Sequence, residues 1–402
     1  MVERNGPIEL TKGVYWVGAV DWNLRDFHGY ETPKGGTYNS YLIVDEKVTL
    51  IDTVKAPFAG EMIKNISKII DPSKIDYIIV NHVEPDHSSS MPSIMRLAPE
   101  AKIFATKRGK TGLCEYNEDA GCGNWDIQVV ETGTELSLGE KTLMFIETVM
   151  LHWPDSMHTY LKEEKILFSN DAFGQHVSTS ARFNDESDED FIDDASEYYA
   201  NILMPFGLQV MKYVDKVKEL GIEIDMIAPA HGIIWREDPQ QIIDAYIGWA
   251  SGNTVPKILV IYDTMWGSTE KMAKAIIDGI AAEGVEVKLM HLRKNPMSQI
   301  IKELLDAPLI AVGATTINNG MLHTLAGFLI HLKGLRPKGK KAFVFGSYGW
   351  GGGGVKAAQK ELEAAGFEMI EEEPIQVKFR PNRQDLDTCR QMGHKLVKEI
   401  IE

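Results

Sequence analysis

The sequence predicts an α/β protein in two parts. A layered α/β domain is expected over residues 1–250, a linker at 251–256 and a doubly wound parallel sheet over 257–402. Three observations carry this reading. The chain has 402 residues, more than one core usually organises at roughly 150 residues per domain. From residue 257 onward, apolar strand runs alternate regularly with helical periods. Between the halves, SGNTVPK (251–257) is short, rich in turn residues and contains Pro256, as a linker should.

In the first half the strand runs are VTLIDTV (48–54), KIDYIIVNH (74–82), AKIFAT (101–106) and KTLMFIETVM (141–150). They continue with TYLKEEKILFSND, a hairpin turning at Lys162–Glu164, and IDMIAPAHG (224–232). Helical patterns lie between them at 59–70 and 239–250, so strands and helices are layered together. The second half gives strands at 257–264, 285–292, 308–316 and 341–350. Helices are expected at 268–284, up to Leu305, at 322–334, at 355–366 and at 386–402. Leu386, Cys389, Met392, Leu396 and Ile400 mark one face of the last helix. The biased segment NDESDEDFIDD (184–194) reads as a solvated acidic loop.

Hydrophobic content of 44% and charged content of 25% are those of a globular protein. A net charge of −16 argues against nucleic acid or anionic membrane as partner, since both require clustered Lys and Arg. No apolar run is long enough to span a bilayer, and MVERNGPIEL lacks the basic and apolar regions of a secretory signal. A cytoplasmic protein is expected. Cys114, Cys122 and Cys389 form no CxxC pair and are read as reduced structural thiols.

Ligands of open parallel sheets sit beyond the carboxyl ends of the strands. Three such ends in the second half carry small and hydroxyl residues. YDTMWGSTEKMA (262–273) offers Thr264, Ser268 and Thr269 hydroxyls, with Gly267 admitting close backbone approach at a helix N-terminus that favours an anion. It is neither a Walker loop nor GxGxxG. GATTINNG (313–320) follows the third strand. GSYGWGGGG (346–354) sets Tyr348 and Trp350 among glycines, which suits a flat ring. These loops resemble those of a flavodoxin domain, which implies flavin mononucleotide (FMN). By that resemblance Thr264, Met265, Trp266, Gly267, Ser268 and Thr269 hold the phosphate. Thr315, Thr316, Ile317, Asn318, Asn319 and Gly320 then flank the isoalloxazine on one side, and Ser347, Tyr348, Gly349, Trp350, Gly351 and Gly352 on the other. Flavodoxins often carry Ser-Pro-Thr where this chain has Ala314-Thr315-Thr316.

In the first half NHVEPDHSSS (81–90) packs His82, Glu84, Asp86 and His87 together. Alternation along an extended segment would point residues two apart the same way. Further candidates follow later strand runs: His152 in LHWPDSMH, Asp171 in FSNDAFGQH and His231 in APAHG. Four imidazoles and three carboxylates without a thiolate suit two divalent ions with one carboxylate bridging. The pattern resembles the metallo-β-lactamase fold, an αββα sandwich, whose zinc hydrolases usually show H-x-H-x-D-H. Here Glu84 stands at the second histidine, making the site harder and more anionic and favouring iron over zinc.

With a flavodoxin-like domain behind it, the whole chain resembles a flavodiiron protein (A-type flavoprotein). The resemblance implies one iron at His82, Glu84 and His152, a second at Asp86, His87 and His231, and Asp171 between them; relatives vary in whether the histidine at the place of His87 ligates. It implies that His176, Tyr198 and His28 line the pocket near the irons. It further implies reduction of dioxygen to water, of nitric oxide to nitrous oxide, or both, with electrons passing through FMN. The implied donor is a separate rubredoxin, or alternatively a reduced deazaflavin. The implied assembly is a head-to-tail homodimer or a dimer of dimers, with Trp350 between the flavin of one subunit and the irons of the other. Two rival readings are a zinc hydrolase fused to a flavodoxin and a pure electron carrier with a scaffolding first domain.

Overall fold

The structure, a computed structural model, describes residues 6–401. Residues 1–5 and 402, the extreme ends of the two expected domains, lie outside the described residues. The chain forms two compact units. The first holds the residues up to His28, Thr32–Tyr198 and Phe206–Ile247; the second holds Gly29–Glu31, Tyr199–Pro205 and the chain from Gly248 onward.

The first unit contains two larger sheets. One runs in the order Ile8–Thr11, Val14–Trp16, Tyr41–Ile43, Thr49–Ile51, Tyr77–Ile79, Lys102–Ala105, Ile127–Val129. Its pairs are antiparallel as far as Thr49–Ile51 and parallel beyond. The other runs Glu135–Ser137, Thr142–Glu147, Met157–Leu161, Ile166–Asn170, Met226–Pro229, with only the last pair parallel. The two-residue period of a strand sends neighbouring side chains to opposite faces. Tyr41, Ile43, Ile51, Ile79 and Phe104 of the first sheet share a core with Phe145, Met157, Leu161 and Phe168 of the second. Leu42, Leu50, Ile78 and Ile103 point the other way, onto Met62 and Ile66 of the helix Ala59–Ser67 and Ile94 of the helix Met91–Leu97. Leu167, on the second sheet, shares a groove with Tyr213 and Val214 of the helix Gly207–Glu219 and Ile243 of the helix Gln240–Ser251. The result is the αββα sandwich.

The second unit is a parallel sheet in the order Glu286–His291, Lys257–Tyr262, Leu309–Ile317, Lys341–Tyr348, with Glu368–Met369 and Ile375–Lys378 both beside the last. The strand order reverses between Lys257–Tyr262 and Leu309–Ile317, and a ligand crevice opens at such a switch point. The helices Ser268–Ala281 and Arg383–Ile401 pack on one face through Met272, Ile276, Cys389 and Leu396. They approach so closely that a Cβ at Gly279 would lie 2.1 Å from the Arg390 carbonyl oxygen.

Several expectations need correction. The short strands from Ile8 to Ile43 were not foreseen; at two to four residues each they carry too little periodicity. Residues 184–194 are not wholly a solvated loop. The helix Phe191–Tyr198 begins inside them, Phe191 and Asp194 are buried, and Asp194 accepts an ion pair from Lys34 at 2.6 Å. The last helix starts at Arg383. Only Cys389 is a free thiol: Cys114 and Cys122 form a disulfide with Cα atoms 5.1 Å apart. The physical reason is the turn after the helix Lys107–Tyr116. Gly121 adopts φ +79° and the Cys122 amide donates to the Asn117 carbonyl, folding the chain back on the helix end.

Candidate metal centre and cofactor pocket

Five of the seven expected metal residues lie within five residues of a strand's end, and Asp86 and His87 follow in the helical turn Pro85–Ser88. His82 comes three residues after Tyr77–Ile79, Asp171 directly follows Ile166–Asn170, and His231 follows Met226–Pro229. The strand expected to reach Met150 ends at Glu147, and His152 sits in the turn after it, beyond a cis Leu151–His152 peptide. The expected extended alternation holds from His82 to Glu84 and then stops. Pro85 opens a helical turn, Pro85–Ser88, whose fixed φ suits a first helical position. That turn swings Asp86 and His87 away from Glu84.

Two groups result. His82, Glu84, His152 and Asp171 form one, and Asp86, His87 and His231 the other; within each, one ligand atom per residue lies within 4.8 Å of all the others. Asp171 faces both. Its Oδ1 is 3.0 Å from His87 Nε2 and 3.3 Å from His231 Nε2, while its Oδ2 is 3.3 Å from His152 Nε2 and 3.7 Å from His82 Nε2. His231 Nε2 is also 3.1 Å from Asp86 Oδ2.

These seven residues fit metal ions by their unmet hydrogen bonding. Asp86 Oδ1 and Oδ2, Asp171 Oδ2 and His231 Nε2 are buried without a hydrogen bond, close to other polar atoms but not aligned with them. Buried polar atoms are rarely left so; lone pairs converging on a common centre are what a cation requires. The electrostatics agree. Burial disfavours charge on His231 and His152, yet Asp171 with Asp86 pushes His231 up to about 10, and Asp171 with Glu84 pushes His152 up to about 9. The clustered carboxylates demand positive charge, which protonated imidazoles supply in the chain alone and bound cations would supply instead.

The outer nitrogens of two histidines are held. His82 Nδ1–H donates to Asp155 Oδ2 at 2.9 Å, an oxygen that also accepts from the Val83 amide, and His231 Nδ1–H donates to the Thr37 carbonyl at 2.7 Å. Both contacts fix the tautomer that leaves Nε2 to the centre. Sequence reasoning missed Asp155 and Thr37, although Asp155 stood inside the quoted LHWPDSMH. His158 of that motif faces elsewhere, against Tyr213 Oη at 2.6 Å.

The three expected pocket residues are also gathered here. His28 Nε2 lies 2.6 Å from Glu84 Oε1, and Tyr198 Oη donates to Asp171 Oδ1 at 3.2 Å. The His176 ring is 4.9 Å from Tyr198 and 5.3 Å from His231, and burial with the neighbouring His231 and His28 holds its pKa well below the ordinary range. Phe27, which sequence reasoning did not single out, packs against His28 and His176 at 4.2 and 4.5 Å.

In the second unit the three loops line one cavity of about 510 Å³. Thr264, Met265, Trp266 and Ser268 line it, with residues 315–319 and 347–351. Gly267, Thr269, Gly320 and Gly352 do not. Gly267, at φ +80°, makes the turn into the helix Ser268–Ala281. Thr269 is buried behind the wall, its hydroxyl bonded to Thr315 Oγ1 at 2.7 Å and Ser347 Oγ at 2.9 Å, so that it ties the three loops together. Trp266 and Trp350 are each 93% exposed at this cavity. Phe379 lines it unforeseen, carried there because Ile375–Lys378 pairs with Lys341–Tyr348 and the Phe379 amide donates to the Tyr348 carbonyl. Behind the first loop, burial raises the Asp263 carboxyl but Arg293, Thr324, the Thr264 amide and His291 outweigh it and hold the group below its usual range. Arg293 Nε donates to Asp263 at 2.9 Å, anchoring the loop. A hydroxyl-lined helix N-terminus beside a slot flanked by aromatic rings fits a phosphate bearing a flat ring.

Fold and sites together define a metallo-β-lactamase-like domain, with two adjoining groups of candidate metal ligands, joined to a flavodoxin domain. The family models agree: residues 37–232 match the ODP family beta lactamase and 260–393 match Flavodoxin. A nitric oxide reductase of Moorella thermoacetica is 48% identical over 98% of this chain and 99% of its own. The solved rubredoxin oxygen:oxidoreductase of the anaerobe Desulfovibrio gigas superposes with a TM-score of 0.93 at 40% identity, over 98% of both chains. The flavodiiron protein of Giardia intestinalis superposes with a TM-score of 0.94 at 37% identity, over 98% of this chain and 96% of that one. The chain belongs to the flavodiiron proteins. Among the described residues no helix is long and apolar enough to cross a membrane.

Proposed function

We propose that this protein reduces dioxygen to water, nitric oxide to nitrous oxide, or both, at a non-haem diiron centre fed by FMN. The observation that carries the reading is Asp171, one carboxylate facing both ligand groups, with Glu84 where zinc hydrolases place histidine. His82, Glu84 and His152 would hold one iron; Asp86, His87 and His231 would hold the other; Asp171 would span them. When bound, the ferrous pair and reduced flavin supply the electrons and open positions for a diatomic gas.

The residues of the chain do the rest. Asp155 and the Thr37 carbonyl keep Nε2 of His82 and His231 aimed inward. Phe27, His176 and Tyr198 pack beside the second group and limit water there. The Tyr198 hydroxyl and the His28 imidazole lie within hydrogen-bond reach of Asp171 and Glu84, where each can hold or pass a proton. The loops at 264–268, 315–319 and 347–351 would hold FMN.

The exposed Trp266 and Trp350 support a further part of the proposal. Such rings favour a covering surface, and a head-to-tail homodimer, alone or paired into a tetramer, would bring one subunit's flavin to the other's irons. A rubredoxin is the proposed electron donor, with a reduced deazaflavin as alternative, and the proposed location is the cytoplasm. The test is anaerobic turnover with a chemically reduced donor on protein of measured iron and flavin content, offering each gas in turn. Consumption of at least one gas in proportion to iron is expected. Zinc at the site together with hydrolase turnover, or no gas consumption by iron-loaded protein, would overturn the proposal.

A further inference from the structure

In the first unit a cavity of about 540 Å³ shares no residue with the metal groups. It lies between Trp16 and Val20 of the first strands, Trp22 in the turn after Ala19–Asp21, Glu61 and Lys64 of the helix Ala59–Ser67, and the segment carrying Arg182. Its volume falls in the range of small-molecule sites.

Arg182 is the feature that needs an explanation. It is only 3% exposed, and its Nη1 donates to the Thr179 and Ala181 carbonyls at 3.0 and 2.6 Å. Among the described residues Nε is buried without a hydrogen-bond partner, and no acceptor is bonded to Nη2. Arg236, by contrast, meets Asp185 through two bonds of 2.7 and 2.8 Å. No carboxylate comes within ion-pair distance of the Arg182 guanidinium among the described residues, although a buried charge is costly without a counterion. Burial pulls Arg182 down to about 10, against the attraction of Glu186, Tyr41 and Glu61.

We propose that this cavity binds a small aromatic monocarboxylate, with Arg182 and Lys64 receiving the carboxylate and Trp22 receiving the ring. A planar guanidinium with free N–H groups matches a carboxylate. Its carbon already lies 4.6 Å from the Trp16 ring, so its orientation is set before a ligand arrives. Lys64 is exposed on its helix and adds a second positive charge. Glu61 subtracts one, leaving a lining that balances a single negative charge rather than two. Trp22, 52% exposed, offers a flat apolar face on the same cavity. The site depends on neither iron nor flavin.

The test is calorimetric titration of the iron- and FMN-loaded protein with 1-naphthoate, 1-naphthamide and inorganic phosphate. Naphthoate is expected to bind one per chain, with the neutral amide and phosphate at least tenfold weaker. Lys64→Glu, on an exposed helical surface, should weaken naphthoate at least fivefold, and Glu61→Gln should tighten it. Arg182→Gln, checked for native iron and flavin content, should abolish binding. Equal binding of acid and amide would overturn the role of charge, and equal binding of phosphate the role of the ring. Absence of naphthoate binding at millimolar concentration, or undiminished binding to Lys64→Glu, would overturn the site itself.

Discussion

Replacing Asp155 separates the charge of that residue from its shape. The buried Oδ2 accepts two hydrogen bonds of 2.9 Å, from His82 Nδ1 and the Val83 amide, and the Asp155 carbonyl accepts a third from Thr106 Oγ1. Asp155→Asn can still offer one amide oxygen to both donors, so imidazole orientation survives and only the negative charge is lost. Asp155→Ala removes the acceptor, frees the ring of His82 to turn and leaves two buried donors unmet, each costing about 1–3 kcal/mol. Loss of such outer partners typically lowers metal affinity 10- to 100-fold. Asp155→Asn is therefore expected near the lower figure, about 1.4 kcal/mol, and Asp155→Ala near the upper, about 2.7 kcal/mol. The assay is iron release to a competing chelator, with circular dichroism confirming an unchanged fold. A folded Asp155→Ala that holds iron as tightly as the unaltered protein would refute the argument.

Three further outcomes are expected. Burial pushes His158 down to about 3, against a free value near 6.5. The unfolded chain then binds the extra proton, so this contribution is complete above pH 6.5 and lost as pH falls towards 3, at up to about 1.4 kcal/mol per pH unit. Between pH 6.5 and 5 the unaltered protein should lose roughly 2 kcal/mol more than His158→Gln by denaturant midpoints; parallel losses would contradict the assignment. Thr269→Val removes the hydroxyl shared by Thr315 and Ser347, and FMN should bind about tenfold more weakly by fluorescence quenching; undiminished affinity would show that the tie does not shape the pocket. Trp350→Ala should slow flavin-to-iron electron transfer in stopped-flow traces while leaving iron content intact, and unchanged traces would count against its proposed place between flavin and irons in a homodimer.

Sequence patterns revealed the parts that repeat with a clear period. The second unit was readable because Lys257–Tyr262, Leu309–Ile317 and Lys341–Tyr348 are apolar runs, each ended by a loop and a helix, down to the face marked by Cys389 and Leu396. The candidate metal residues were readable because His82, His152, Asp171 and His231 each follow a strand run, with Glu84, Asp86 and His87 close behind the first of them. What stayed hidden depends on three-dimensional return. Thr37 reaches His231 across 194 positions, and Asp155 reaches His82 across 73. Phe379 reaches the ring cavity only through strand pairing. The Cys114–Cys122 pair straddles a helix end, where no ligand-like spacing announces it. Residues 82–86 looked uniformly extended because alternation ignores what a proline does to the next turn.

The bend at Pro85 has a bearing on how the centre is assembled. Four of the seven candidate ligands hang from residues 82–87, two on each side of that proline, so the same short stretch must be ordered for either group to close. An ion captured on one side fixes the backbone needed by the other, and the entropy of immobilising it falls almost entirely on the first arrival. Loading should thus be cooperative, with half-filled chains scarce at any metal supply and depletion passing from two ions to none.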